Sequence, residues 1–265
     1  MLLFHRDLGG EGRPPLLVLH GLLGSSRNWQ TIGRLLSNDF HVCALDIRNH
    51  GESPWRDEHS YDLMVDDVLF WMDHHEIERS VFLGHSMGGK VAMRLACRHP
   101  DRVGGLIVVD IAPRAYPSTH IPEFEAMNAL PLSDLTSRAE AEEKMKALVT
   151  DWALRKFLLT NLERSATGRF GWKVNVSALE DGMENLEEEP LDSDDLFGDP
   201  VLFLLGGRSP YFRAEDESGT RKHFPEARFV RIEGSGHNPH IEARDQFIDE
   251  VRKYLDVRWM MFRKP

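Results

Sequence analysis

Short apolar runs alternate along the chain with longer stretches whose apolar residues recur at helical spacing. The apolar runs are LLVLH (16–20), HVCALDI (41–47), SVFLGH (80–85), GLIVVD (105–110), VLFLLGG (201–207) and ARFVRIEG (227–234). The helical stretches are WQTIGRLL, YDLMVDDVLFWMDHH, GGKVAMRLACRH and ARDQFIDEVRKYL. Such alternation is typical of a parallel sheet covered by helices on both faces. It predicts an α/β fold with a doubly wound, mostly parallel sheet of about seven strands, counting LLFHRD at the start as an edge strand.

The alternation stops after Pro113 and resumes at Val201. Between them, SRAEAEEKMKALVTDWALRKFLLTNLE has helical periodicity, and Ser137 with Glu140 has the spacing of a capping box. Because so long a loop without structure is uncommon, the pattern predicts a helical cap inserted at 113–197, between core segments 1–112 and 198–265. Its acidic end, 183–199, is expected to be a solvated connection back to the sheet.

Composition narrows the classes of partner. The chain has 32 Lys and Arg against 43 Asp and Glu, a net charge of -11, which disfavours binding to nucleic acid. No apolar run approaches the ~20 residues of a membrane span, and the start MLLFHRDLGGEG does not resemble a secretory signal. Cys43 and Cys97 lie inside apolar runs and are expected to be free thiols, which suits the cytoplasm. The tail 257–265 is expected to dock on the protein body.

One serine stands in a setting that favours catalysis. Gly84-His85-Ser86-Met87-Gly88 follows an apolar run and precedes a helical stretch. A sharp strand-to-helix turn strains its central residue, and glycines two positions away on each side avoid clashes. An ordinary loop with Ser86 as a helix cap is the plain alternative, but a cap needs no such glycines. The pattern therefore indicates a nucleophilic hydroxyl at the carboxyl edge of the sheet, where the start of the helix favours an anion.

Four segments together resemble the α/β-hydrolases, and within them the small YbfF-like esterases: LLVLHGLLGSSRNW, ALDIRNHGES, FLGHSMGGKVAM and GSGHNPHIE. The resemblance implies an α/β-hydrolase fold with a cap and a serine carboxylic-ester hydrolase that uses no cofactor. It also places the catalytic base at His237, after the last strand. His240 and the pair His74-His75 lack a second ligand set with zinc-like spacing, so no metal site is expected.

The acid of the triad departs from the commonest family pattern. Many α/β-hydrolases carry an aspartate after the strand that reads VLFLLGG here, but this chain has Ser209. Asp110 ends the run GLIVVD at the same sheet edge, where a buried carboxylate needs a partner such as His237. In YbfF-like esterases the matching position is associated with the triad, and the position of Ser209 supplies an auxiliary hydroxyl. Glu215 and Asp216 stay open as alternatives.

The resemblance also suggests which residues surround the reacting atoms. Backbone N–H groups of Leu22 and Met87 are the expected oxyanion hole, with Gly21 allowing the close approach. His20, Asp46, Arg48 and His50 are interpreted as a loop scaffold. Leu22, Leu23 and Tyr211 are the candidate substrate contacts, because they neighbour the catalytic loops. The insertion offers further apolar side chains for an acyl or alcohol pocket: Phe124, Met127, Leu130, Trp152, Phe157 and Trp172.

The sequence thus predicts a carboxylesterase for short- to medium-chain esters, working through an acyl-serine intermediate. A thioesterase, a lactonase or another acyl-serine hydrolase shares that chemistry, because fold alone does not choose the substrate. From a different class, a small-molecule receptor that retains the triad is the alternative. Ser86 disfavours a dehalogenase or epoxide hydrolase, which needs a carboxylate nucleophile. The expected partner is a small-molecule ester, and the oligomeric state stays open.

Overall fold

The structure is a computed structural model that describes residues 1–118 and 120–262, with side chains as far as Asp256. Its strands are β1 His5–Asp7, β2 Pro15–Leu19, β3 His41–Leu45, β4 Ser80–His85, β5 Val103–Val109, β6 Leu162–Arg164, β7 Phe170–Trp172, β8 Val201–Gly206 and β9 Ala227–Ile232. Its helices are α1 Gln30–Leu36, α2 Tyr61–His74, α3 Met87–Arg98, α4 Ile121–Ala129, α5 Arg138–Lys146, α6 Trp152–Leu159, α7 Val176–Asp181, α8 Met183–Glu187, α9 Asp216–His223, α10 Pro239–Glu242 and α11 Arg244–Phe262.

The main sheet has 7 strands in the order β1-β3-β2-β4-β5-β8-β9. Only β1 pairs antiparallel, with β3, and the other neighbours are parallel. Parallel strands end at a common edge, so the loops after β2, β4, β5, β8 and β9 converge there. The mostly parallel sheet and the edge strand at the start of the chain are as the sequence predicts.

Two hydrophobic clusters cover the two faces of the sheet. One cluster joins α2 and α3 to side chains of β4, β5 and β8. The other joins α1 and α11 to the alternate side chains of the same strands. Strands buried on both faces carry apolar residues at successive positions, which explains why they read as continuous apolar runs.

Residues 113–197, called the insertion below, lie between β5 and β8, and apolar residues from Phe124 to Leu179 build a cluster of their own. Its members come from α4 to α7 and from the two-stranded sheet β6–β7, and Leu23 of the loop after β2 joins them. Ser137 caps α5 as predicted, accepting a hydrogen bond from the backbone of Glu140 at 3.1 Å. The insertion therefore packs as a structured unit with a contact to the loops at the sheet edge.

The prediction that 183–199 is a solvated connection is wrong in part. Residues 183–187 form α8, and Leu186, Leu191 and Phe197 are buried in the cluster that contains α3. Basic side chains along α3 hold the segment. Arg94 donates to the carbonyl oxygen of Pro190 at 2.5 Å, and Arg98 pairs with Asp192 at 2.7 Å. Most of the acidic residues thus lie on the outer face of a segment that is anchored by its apolar residues.

No helix within the described ranges is long and apolar enough to cross a membrane. The expected docking of the tail 257–265 falls on side chains outside the described residues.

Candidate active site

Ser86 occupies the turn between β4 and α3 with φ 52° and ψ -119°. A non-glycine residue in this region of positive φ is strained, and such strain is retained where the surrounding structure enforces it. The enforcement is steric: a Cβ at Gly84 would lie 2.3 Å from the carbonyl oxygen of Gly88, and one at Gly88 would lie 2.4 Å from that of Leu19. The two glycines therefore let β2, β4 and α3 meet closely enough to form the turn.

Asp110 directly follows β5 and is fully buried, also with a positive φ of 53°. Its Oδ1 accepts the backbone N–H of Gly206 at 2.8 Å. Its Oδ2 accepts the hydroxyl of Ser209 and pairs with Nδ1 of His237 at 2.7 Å. With Nδ1 as the donor, Nε2 of His237 is the nitrogen left to accept a proton. Asp110 thus meets the two residues that the sequence associated with it.

His85 connects the loop of Ser86 to the loop of His237. Its Nε2 donates to the backbone oxygen of His237 at 2.9 Å, and the two ring centroids are 4.7 Å apart. Burial lowers the pKa of His85 well below its ordinary value, and the charges of His237 and His240 act in the same direction. A neutral His85 therefore fixes the backbone of the histidine loop beside the serine turn. The sequence analysis missed this role. The signal was a polar histidine directly before the nucleophile, at the end of an apolar strand.

Tyr211 lies over the other side of His237. Their rings stack with centroids 3.9 Å apart and planes inclined by 19°. Tyr211 also lines the pocket that contains Ser86, so its ring spans from the histidine to the pocket wall. This placement agrees with its selection as a substrate contact.

The loop after β2 passes against the serine turn. A Cβ at Gly21 would lie 2.9 Å from Nδ1 of His85 and 3.2 Å from Cβ of Ser86, so only glycine leaves room for this approach. Leu22 follows directly, and Met87 is the first residue of α3, whose backbone N–H has no partner within the helix. Both residues line the pocket beside Ser86. The two residues that carry the expected donors therefore line one pocket, and their role as an oxyanion hole stays a prediction.

Buried polar side chains form hydrogen bonds with the loop after β2 and with the loop after β3. His20 accepts the backbone N–H of Ile47 through Nε2 at 3.0 Å, so its Nδ1 donates to the oxygen of Gly21 at 2.8 Å. His50 accepts the N–H of Leu23 through Nε2 at 3.1 Å. Asp46 accepts backbone N–H groups of Ser26 and Glu52, and Arg48 donates to Asp67. These bonds are those of the loop scaffold that the sequence suggested.

A small cavity of about 50 Å³ opens on Ser86. Its wall combines the core with the start and end of the insertion: Leu22, Tyr61, Ser86, Met87, Lys90, Ile111, Tyr116, Pro117, His120, Met183, Leu186, Glu187 and Tyr211. Ligand pockets usually measure roughly 300–1,000 Å³, so a substrate must widen this one. The insertion's contribution to the wall comes from its two ends rather than from its middle.

Several predicted contacts lie elsewhere. Leu23, proposed as a substrate contact, is 2% exposed and packs into the core of the insertion, because its positive φ turns the chain away from the pocket. The apolar residues offered by the insertion also lie outside the wall. Phe124, Met127 and Leu130 fill its core, Phe157 and Trp172 pack against that core, and Trp152 is 64% exposed. Most of these side chains therefore serve the internal packing of the insertion, which is the usual role of apolar residues on amphipathic helices.

Lys90 is a pocket residue that the sequence analysis did not single out. It lies one helical turn after Ser86, is 2% exposed, and donates to the carbonyl oxygens of Leu186 at 3.2 Å and Glu188 at 2.8 Å. Burial, aided by the charge of Arg114 and opposed by the charges of Glu189 and Glu187, lowers the pKa of Lys90 to about 7. The sequence signal for Lys90 is a lysine on the apolar face of α3, because a lysine is rarely buried without a partner.

The alternative acids are engaged away from His237. Asp216 pairs with Arg114 at 3.0 Å and accepts the backbone N–H of Arg213 at 2.8 Å. Glu215 directly precedes α9, and its side chain is 71% exposed. Among the three candidates, Asp110 is therefore the one in contact with the histidine.

One group of possible metal ligands lies at the β1–β3 edge of the sheet. Ligating atoms of Asp7, His41 and Cys43 lie within 4.8 Å of one another, with His41 and Asp7 paired at 3.1 Å. Burial raises the pKa of the Cys43 thiol to about 12, aided by the charge of Asp7. A protonated thiol is a poor ligand, and the His41–Asp7 ion pair accounts for the contact without an ion.

Comparison with known proteins shows the family to which the chain belongs. A family model described as alpha/beta hydrolase fold matches residues 14–147. The chain belongs to the α/β-hydrolase family. It is 34% identical to the sn-1-specific diacylglycerol lipase ABHD11 of Mus musculus over 255 residues, covering 93% of this chain and 82% of that protein. It is also 34% identical to esterase YbfF of Escherichia coli (strain K12) over 246 residues, covering 91% of this chain and 93% of that protein.

A solved structure with the same architecture is that of a marine microorganism esterase. It superimposes with a TM-score of 0.93 at 36% identity and covers 96% of this chain and 99% of that one. The predicted α/β-hydrolase fold and the resemblance to YbfF-like esterases are confirmed, and the family relatives are named as enzymes that act on ester bonds.

Proposed function

We propose that this α/β-hydrolase is a carboxylic-ester hydrolase whose nucleophile is Ser86, whose base is His237 and whose acid is Asp110. The observation that carries the proposal is the contact of 2.7 Å between His237 and the buried Asp110, which directly follows the strand residue bonded to the N–H of the strained Ser86. The esterase and lipase relatives support the class of reaction, because each covers most of this chain.

The reaction follows from this geometry. Nε2 of His237 takes the proton of the Ser86 hydroxyl as its oxygen attacks the ester carbonyl, while Asp110 holds Nδ1 and stabilises the imidazolium. Backbone N–H groups of Leu22 and Met87 bind the oxyanion, aided by the start of α3. His237 then protonates the departing alcohol. It later takes a proton from the water that attacks the acyl-serine, which releases the acid and restores Ser86.

The insertion acts in this proposal as a cap, because its two ends complete the wall around Ser86. A preference for short to medium acyl chains is part of this proposal, and the series of esters below tests it. The substrate is a small-molecule ester. Cys43 and Cys97 are free, which fits the expected cytoplasmic location.

Purified wild-type protein and Ser86→Ala test the proposal on p-nitrophenyl esters from acetate to decanoate, with a thioester and a lactone alongside. We expect turnover of acetate to hexanoate esters and a loss of roughly 10⁶-fold in kcat for Ser86→Ala. Turnover that survives the substitution would overturn the assignment of the nucleophile. If kcat/KM is larger for the thioester or the lactone than for every p-nitrophenyl ester, that compound represents the substrate class instead of the simple carboxylic ester.

A further inference from the structure

One part of the pocket wall is polar, although most of the wall is apolar or aromatic. Lys90 and Glu187 both line the cavity that opens on Ser86. The Oε1 atom of Glu187 is buried and has no hydrogen-bond partner among the described residues. A buried carboxylate oxygen without a donor is costly, so this position calls for a donor from a bound molecule.

Lys90 offers the complementary group. When it is protonated, Lys90 carries three N–H donors, and the described part of the chain takes two of them, through the carbonyl oxygens of Leu186 and Glu188. The rings of Tyr116 and Tyr61 lie 4.9 Å and 5.5 Å from Nζ. Aromatic rings attract the charge but accept no conventional hydrogen bond. One N–H of Lys90 therefore has room for an acceptor from the substrate.

The surrounding charges select the kind of acceptor. Glu187 and Glu189 act electrostatically on Lys90, and Arg114, a cation that also acts on it, is paired with Asp216 at 3.0 Å. A carboxylate entering here would meet two carboxylates already in range. A neutral group that accepts one hydrogen bond and donates another satisfies both Lys90 and Glu187, and a hydroxyl group does this with a single atom.

We propose that the pocket selects esters that carry a hydroxyl group within a few atoms of the ester bond, bound between Nζ of Lys90 and Oε1 of Glu187. The short range follows from the size of the cavity, since Ser86, Lys90 and Glu187 line the same space of about 50 Å³. This inference rests on the proposed esterase function and adds to it the class of substrate. Lys90 and Glu187 are specificity-determining residues in this account.

Two matched pairs of esters test the inference. The acyl side is probed by p-nitrophenyl 3-hydroxyhexanoate against p-nitrophenyl hexanoate, and the alcohol side by 3-hydroxypropyl butyrate against propyl butyrate. The readout is the ratio of kcat/KM, hydroxylated over plain, within each pair. We expect a ratio of roughly tenfold or more in at least one pair for the wild type, the usual effect of a hydrogen bond to a charged group. Lys90→Met and Glu187→Met should each bring that ratio near one, and Glu187→Gln, which keeps an acceptor, should retain part of it.

Neighbouring variants control for loosening of the pocket wall. Arg94→Met removes another cation of α3 that bonds to the same segment, and Glu188→Met removes an exposed neighbour of Glu187. Both should keep the wild-type ratio. Wild-type ratios near one in both pairs would overturn the inference, as would equal loss in the control variants. Absence of any ester turnover by the wild type would instead overturn the proposed function, so the two failures are distinguishable.

Discussion

The two walls of the pocket are held in place by different means. On the sheet side, Ser86 and Asp110 have strained backbones at the ends of neighbouring strands. Their positions are fixed within the sheet, because the N–H of Ser86 bonds to Val109 at 3.1 Å and that of Asp110 to Leu204 at 2.9 Å. Strain of about 1–3 kcal/mol per residue persists only when packing enforces it.

On the insertion side, a few hydrogen bonds hold one short segment. The hydroxyl of Tyr61 donates to the oxygen of Leu186 at 2.8 Å, and the N–H of Tyr116 donates to that of Glu187 at 2.7 Å. Lys90 adds the two bonds described above. Lys90 itself lies on α3, so the polar part of the pocket wall joins the two sides. If the proposed roles hold, the reacting groups lie where strands and strained turns fix them, and Glu187 lies in a segment that the sheet does not include.

Asp110→Asn tests the sheet side of the pocket, with the largest expected effect. The replacement keeps the shape and tolerates the positive φ, but it loses the charge that stabilises the imidazolium. We expect kcat to fall by about 10⁴-fold with the fold unchanged. Steady-state kinetics and circular dichroism measure the two quantities.

Ser209→Ala is the matched control, because it removes the other side-chain partner of Asp110 and leaves the carboxylate bonded to His237. Its effect should be much smaller than that of Asp110→Asn. Near-normal turnover in Asp110→Asn would show that another residue supplies the acid.

Replacing one glycine in the serine turn and one in the insertion compares the effect of an added methyl group on stability in the two regions. A Cβ at Gly88 would meet backbone atoms of Leu19 and His20 at 2.4–2.6 Å, whereas one at Gly171, in β7 of the insertion, meets nothing within 4 Å. Gly88→Ala should lower the free energy of unfolding by about 2–4 kcal/mol, and Gly171→Ala should change it by less than about 0.5 kcal/mol. Urea denaturation compares them. Equal effects at both positions would contradict the steric account of the serine turn.

His85→Phe tests the link between the two catalytic loops. Losing the bond to the backbone of His237 should displace the histidine loop, and we expect kcat to fall by about 10- to 100-fold with little change in KM. His85→Gln can donate to the same oxygen and should recover part of the loss. A change confined to KM would assign His85 to substrate binding instead of positioning.

Arg94→Met tests the ion pair between α3 and α2, at a residue that also bonds to the insertion through the oxygen of Pro190, and it has the smallest expected effect. Arg94 bonds to Asp62 through two nitrogens, at 2.6 Å and 2.8 Å, and this hydrogen bonding lowers the pKa of Asp62 although burial acts to raise it. An exposed pair of this kind contributes about 0.5–1 kcal/mol and is screened by salt.

Because the folded pKa of Asp62 is depressed, the contribution of this pair is present above the unfolded pKa of about 3.9 and is lost as the pH falls through the lower folded value. Unfolding of the wild type and Arg94→Met at pH 7 and pH 3, in low and high salt, measures the difference. A stability difference that is unaffected by salt and acid would contradict the ion-pair interpretation.

The sheet was predictable because its strands are buried on both faces and are rich in apolar residues. The serine turn was predictable because Gly84 and Gly88 report a steric requirement directly in the sequence. The contact of Asp110 with His237 could be suggested only with the help of the family, because the two residues are 127 positions apart. Local patterns carry little information on such distant pairs.

The pocket was the hardest part to predict. Leu23 is adjacent in sequence to the pocket residue Leu22, yet its side chain joins the core of the insertion. The charges of 183–199 suggested a solvated segment, although three apolar residues within it are buried. Burial depends there on tertiary contacts with α3, which hydropathy along the chain does not report. The polar lining formed by Lys90 and Glu187 arises from the same contacts.

Labelling with a fluorophosphonate, followed by peptide mass spectrometry, tests most directly whether the strained hydroxyl works with the distant imidazole. Wild-type protein should gain one phosphonyl group, on Ser86, and lose its ester turnover in proportion, while His237→Gln should label far more slowly. Efficient hydrolysis by protein that is labelled at another residue, or not at all, would contradict the account.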